Sequence, residues 1–286
     1  MDDATQNLGV CFFSDRLYYA VNQPSSETTL QEIGSFDFNF EVADAIRTQH
    51  PDRFPHIQKT IESLISEYSI TSIRGLTTPN EECWTALPKV VYDNADERED
   101  HLSIIMKGVP REDIEPTWHK VSKSEYKFLC IRRISMMDGL NKLALSVGTS
   151  EYSSDFELAS KLSSFRGNSG SFMMIGCHKH SISVTSVVLG QFRAATYIKF
   201  DQLEDLPYHW LQTVQHSNWM MGLHDQTFLF GHHSHEVEKV LNHFWDKSTN
   251  AVPLNSLNEI GVQAEETTYG FDLAEAFPAI LLSLDF

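Results

Sequence analysis

The densest group of metal-ligating side-chain types in this 286-residue chain is Gly231-His232-His233-Ser234-His235-Glu236, with His243 further along the same stretch. Imidazole and carboxylate bind zinc and other transition metals, so His232, His233 and His235 are candidate metal residues. Their spacing departs from strong signatures such as His-Glu-x-x-His. A purely structural reading accounts for the same residues: Ser234 suits a helix N-cap, and Glu236 and Glu238 suit a first turn, where the helix dipole is positive. His178-Lys179-His180 is a second polar cluster, placed where the chain turns between two β-rich runs. A solvated basic tip is the plain account of it, and an anion site the sharper one.

Nucleophilic catalysis finds less to work with. The four cysteines, Cys11, Cys83, Cys130 and Cys177, are dispersed, form no Cys-x-x-Cys pair and lie in no recognised catalytic motif. His178 follows Cys177 directly, but neighbours on a strand point to opposite faces, so adjacency does not bring base to thiol. Buried free thiols are the expectation.

Positioning these residues requires a scaffold, and the sequence describes one twice. Leu8 to Phe13, Arg16 to Gln23 and Thr29 to Phe38 are β-rich runs, followed by a helical stretch from Phe54 to Tyr68 and a strand from Ser72 to Leu76. From Phe172 the order repeats, with strands at Phe172 to Cys177, Ser181 to Leu189 and Gln191 to Phe200, a helix from Gln202 to Ser217 and a strand from Thr227 to Phe230. The strand readings rest on β-branched and aromatic enrichment, the helical ones on faces such as Phe54, Ile57, Ile61, Leu64, Ile65 and Tyr68. Trp210 shares a helical face with Leu206 and Val214 and reads as core, as does Trp219-Met220-Met221, with an exposed partner patch as the alternative for the latter. A middle section, Asn80 to Phe165, belongs to neither copy: a charged stretch from Asp93 opens a solvated helix toward Met106, Lys127 to Ile134 is a strand, and helices run through Val147 and Phe165. The loop from Arg166 to Ser171 marks the boundary between the units 1–165 and 166–286. The C-terminal stretch has an apolar face of Leu273, Phe277, Leu281 and Leu284, and Pro278 is expected to kink or shorten its helix.

With 41% hydrophobic residues the chain can bury a sizeable core. Its 39 acidic against 22 basic residues, a net charge of -17, argue against nucleic acid as a partner. Neither a secretory leader after Met1 nor an apolar run long enough for a membrane span is apparent, so the expectation is a cytoplasmic protein with no direct membrane insertion.

Paired three-stranded units, each followed by helix and strand, resemble the actin-like superfamily of actin, sugar kinases and heat-shock ATPases, an α/β class with a two-lobed, duplicated, ribonuclease H-like fold. Within it the likeness is to bacterial pilus-assembly scaffold proteins and to an uncharacterised bacterial family of degenerate actin-like proteins. Leu8-Gly9-Val10 with the turn after Phe13 looks like the first phosphate-loop strand pair, Phe172 to Ser186 like the second, and Phe228-Leu229-Phe230-Gly231 like the strand ending at the adenosine-side glycine. The resemblance implies an Asp and a Gly at each phosphate turn, for magnesium and for backbone approach to phosphate. The chain has Cys11 and Phe13 at the first pair of positions and Gly176 and His178 at the second. The implied nucleotide residues are therefore reduced to Ser14, Asp15, Lys179 and Gly231. No catalytic residue and no cofactor is expected, ATP and Mg being disfavoured by this chemistry. The implied function is a non-catalytic scaffold or assembly protein acting through a protein partner, such as a peptide or cytosolic tail of a membrane-associated protein. The alternative is a divergent ATP-binding ATPase or phosphotransferase.

Overall fold

The computed structural model describes residues 6–24, 26, 28–77, 82–106, 108–120, 126–167, 170–222, 224–245, 250–264 and 269–284. The start at Met1 and the middle of the Arg166 to Ser171 loop lie outside them. The first copy comprises β1 (Asn7–Phe13), β2 (Arg16–Asn22), β3 (Thr29–Asp37), α1 (Val42–Thr48), α2 (Phe54–Tyr68) and β4 (Ser72–Thr77). The middle section follows with β5 (Glu82–Pro88), α3 (Lys89–Asp93), α4 (Ala95–Ile105), β6 (Ile114–Lys120), β7 (Tyr126–Arg133), α5 (Ile134–Leu143), β8 (Thr149–Ser154) and α6 (Asp155–Phe165). The second copy comprises β9 (Phe172–His178), β10 (Ser181–Val188), β11 (Gln191–Lys199), α7 (Leu206–His216), β12 (Gln226–Gly231), α8 (Ser234–Leu241) and β13 (Asn250–Pro253). The chain closes with α9 (Leu257–Ile260), β14 (Gln263–Ala264) and α10 (Leu273–Ser283).

The strands form three sheets, in the orders β14-β3-β2-β1-β4-β8, β11-β10-β9-β12-β13 and β5-β7-β6. Apart from β14, the first two sheets have one design: third, second, first, fourth and fifth strand of each half, with the first three antiparallel and the last two parallel to the first. The duplication read from the sequence therefore extends by one strand in each half. The middle section does not stand apart from both copies as expected, because β8 pairs with β4 along its whole length and completes the first sheet. Only β5, β6 and β7 form a sheet of their own. The solvated helix in this section is α4, where the Asn94 side chain accepts from the backbone N–H groups of Asp96 and Glu97.

Each half ends in a helix that crosses toward the other. α6 packs on β10 and β11, while α10 packs on β1, β2 and β4 as well as on β12. β14, also from beyond Phe165, pairs with β3 in the first sheet. One hydrophobic core accordingly spans both sheets: Cys11, Phe13 and Tyr18 meet Met174, Phe228 and Phe230, with Leu158 and Leu162 of α6 and Phe277 and Ile280 of α10 between them. From Ala276 to Leu284 every residue is buried. The expected shortening at Pro278 does not occur: the helix continues through it to Ser283, held on all sides by packing. Among the described residues no helix is long and apolar enough to cross a membrane.

Gly9 makes the crossing possible. A Cβ on Gly9 would lie 1.9 Å from the Ala279 carbonyl oxygen and 2.6 Å from the Ser283 nitrogen, both backbone atoms of α10. Gly9→Ala must therefore push helix from sheet, and is expected to lower stability by about 2–3 kcal/mol in urea titration, the range of a core overpacked by a rigid neighbour.

Candidate functional site

The strand tips that would carry phosphate loops face one another. In the first, Ser14 takes φ 55° and its carbonyl accepts from the Val42 N–H at 2.9 Å, while the Asp15 carbonyl accepts from the Phe38 N–H at 2.7 Å. In the second, Lys179 and His180 are exposed at the β9–β10 turn. A cavity of about 430 Å3 lies between the tips, lined by Ser14, Lys179, His178, His180 and His232, with Asp44 and Arg47 of α1 at its side. Asp15 and Gly231 do not line it.

Its floor is closed by side chains. The Phe13 ring lies 5.6 Å from the His178 ring, centroid to centroid, and both residues are buried. Gly231, at φ 90°, abuts the same ring: a Cβ there would come within 3.1 Å of Phe13 and 2.4 Å of the Cys177 carbonyl oxygen. Its φ and its close approach to β9 both favour glycine. Cys11 faces the core beside α10, and burial pushes the Cys11, Cys130 and Cys177 thiols up, so these three are inert packing groups.

Sequence reasoning missed Asp155. Its carboxylate enters from the first turn of α6 and reaches the second sheet, 2.6 Å from the His178 Nε2 and 2.6 Å from the Ser183 hydroxyl, which donates to it. It occupies the space that Gly176 leaves: a Cβ at Gly176 would sit 2.6 Å from the same Asp155 oxygen. An acid thus stands where the second strand lacks one, supplied by another element and tied to a histidine. Its other oxygen is buried without a hydrogen-bond partner among the described residues. The available signal was Ser154-Asp155-Phe156-Glu157, a Ser-x-x-Glu helix start.

No protein-family model and no curated protein sequence matches the chain. Two solved structures are similar over almost all of it. The PilM-PilN type IV pilus biogenesis complex gives a TM-score of 0.66 at 10% identity, covering 98% of this chain and 98% of that chain. A protein of Bacteroides thetaiotaomicron with an actin-like ATPase fold and unknown function gives 0.54 at 15% identity, covering 91% and 98%. The chain has the actin-like ATPase fold. Within the actin-like fold, the Phe13–His178 contact lies between the tips of the paired first strands of the two lobes.

The histidine cluster is divided among separate carboxylates. His232 pairs with Glu275 at 3.1 Å, His235 with Asp272 at 3.0 Å and His233 with Glu236 at 3.7 Å. Among the described residues no three potential ligands gather into a metal-holding group. Ser234 is not the N-cap expected: His233, at φ 59°, takes that position, and Ser234 is the first helical residue. Glu275 also accepts from the Tyr18 hydroxyl, so α10, β2 and the loop after β12 meet at one carboxylate. Burial pushes Glu275 up, but the hydrogen bonds from His232 and Tyr18 prevail and hold it below its ordinary value of 4.5.

A second polar network ties the three-stranded sheet to α6. Glu82, fully buried, accepts from Arg132 at 3.2 Å and from the hydroxyls of Ser154 and Thr77 at 2.7 Å each. Arg132 also donates to the Ser154 hydroxyl at 2.8 Å and lies 3.5 Å from Glu157, which pairs with His119 at 3.0 Å.

Two outcomes follow. Asp155→Ala strips the buried His178 and Ser183 of their partner and is expected to cost roughly 3 kcal/mol in urea titration, while Ser183→Ala costs about 1. Because the folded-state value of Glu275 is depressed, its contribution is present above about pH 4.5 and is lost as pH falls through that lower value. Glu275→Gln should therefore lose about 1 kcal/mol at pH 7, and its deficit against wild type should narrow on acidification below pH 4.5.

Proposed function

We propose that this protein is a non-catalytic scaffold or assembly protein that acts by binding a protein segment, with an actin-like nucleotide cleft that has degenerated. The observation that carries the reading is the packing of Phe13 on His178 and Gly231. Phosphate binding between two strand tips relies on backbone N–H groups that a glycine turn exposes. Here a phenyl ring and an imidazole fill that approach. The shared core between the lobes supports the same reading, since a cleft that opens and closes around a nucleotide would have to part it.

Similarity to the PilM-PilN type IV pilus biogenesis complex supports a protein partner; the form of partner implied by the sequence resemblance is a peptide or cytosolic tail of a membrane-associated protein. The middle section offers surface for it: Val90 of α3, Ile104 of α4, Val109 before β6 and Tyr126 of β7 are exposed. The cavity of about 430 Å3 beside Ser14 and Lys179 favours the second reading, a divergent ATP-binding ATPase or phosphotransferase.

Thermal unfolding separates the two. With millimolar Mg-ATP the scaffold reading expects an unchanged Tm, whereas a ligand confined to the native state must raise it. A rise, lost in a Lys179→Glu variant, would favour the second reading. Affinity capture from the source cell with mass spectrometry tests the first directly: a stoichiometric companion is expected, and a monomer without one would overturn it.

A further inference from the structure

β5 is the outer strand of the three-stranded sheet and β11 the outer strand of the second sheet, and neither has a strand neighbour on its free side among the described residues. Such an edge offers unpaired N–H and C=O groups to an incoming strand. Among the described residues the two meet through side chains: Trp84 on Tyr197, with centroids 5.8 Å apart, and the Tyr197 hydroxyl 3.9 Å from the Cys83 Sγ. Beside this contact a cavity of about 290 Å3 opens between the edges, walled by Trp84, Tyr126, Phe128 and Phe192.

The charge at this cavity runs against that of the whole chain. The protein carries 39 acidic and 22 basic residues. Yet the cavity is lined by Lys127 and Arg193 and by no carboxylate. Neither cation has an ion-pair partner among the described residues, Lys127 lying instead 5.2 Å from the Tyr92 ring. The larger cavity of about 710 Å3 at the other end of β5 has no such preference, since Arg133 and Lys199 are matched there by Asp113 and Asp138.

We infer that the seam between β5 and β11 docks an extended peptide in which an acidic residue alternates with aromatic or branched apolar ones. Strand addition supplies main-chain hydrogen bonds and sends successive side chains to opposite faces: the aromatic walls take the apolar ones, and Lys127 and Arg193, each next in sequence to a wall residue and so on the other face, take the acidic ones. The inference rests on the protein-binding reading above and names the chemistry of the segment bound.

The probe is a fluorescent pool of short peptides alternating Asp or Glu with Phe, Leu or Val, compared by anisotropy with a pool carrying Lys and Arg instead of the acids, and with free phenylpropanoate. Wild type is expected to bind the acidic pool at least tenfold more tightly than the basic one. Arg193→Glu combined with Lys127→Glu should abolish that preference, and Ala195→Trp, which fills the cavity, should weaken binding tenfold or more while circular dichroism stays native. Equal binding of both pools, binding of phenylpropanoate but no peptide, or full binding by the charge-reversed variant would each overturn the inference. Capture of a cellular partner that is equally strong in wild type and charge-reversed protein would overturn this site and leave the scaffold reading standing. Absence of any partner for wild type would remove both.

Discussion

The first turn of α6 is the constraint on which the rest of the structure depends. Ser154, at the end of the first sheet, bonds Glu82 and Arg132 of the three-stranded sheet. Asp155, the next residue, bonds His178 and Ser183 of the second sheet. Glu157, three residues after Ser154, pairs with Arg132 and His119 and accepts from the Ser154 N–H at 2.7 Å. A buried charge without a partner is expensive and a paired one is strongly oriented, so these contacts fix three sheets to one point. Little freedom of relative position remains.

Around that point the apolar packing is continuous. α6 and α10 cross in opposite senses between the halves, and α10 approaches β1 closely enough to require glycine at position 9. The core they complete contains Phe13, so the residue at the tip of β1 is also a packing residue of both lobes. Its ring stabilises the seam by burial against both sheets. The polar contacts of α6 and this apolar core join the same two halves.

Legibility in the sequence followed local apolar pattern. β1, β2, β9, β10 and α2 matched their expected spans closely because the strands are dense runs of apolar, β-branched and aromatic residues bounded by polar turns and α2 has a one-faced apolar stripe. β8, Thr-Ser-Glu-Tyr-Ser-Ser, was missed because it has no such pattern; it is a strand because β4 offers it a parallel edge. β13 escaped for a related reason, being four residues long and paired only with β12. Of the candidate site, Ser14, Lys179 and His232 do converge on one cavity, whereas in the histidine trio each ring pairs with its own carboxylate, Glu275, Glu236 or Asp272, although the His232 and His233 rings stay 3.7 Å apart. Adjacency along a chain says little about which carboxylate each ring will meet.

What the sequence determined alone was the duplicated order of strands and helices, since this follows from local apolar pattern and turn residues; that Phe13 and His178 stand where phosphate-turn glycines are expected is what the resemblance implies. Tertiary structure decided that Asp155 would fill the space of the absent side chain at Gly176, that Gly9 would receive a helix from the far end of the chain, and that β5 and β11 would face one another. Those outcomes depend on contacts between residues tens to hundreds of positions apart. Such contacts are fixed by the requirement that buried polar groups find partners and buried surfaces leave no voids, and no local pattern encodes them.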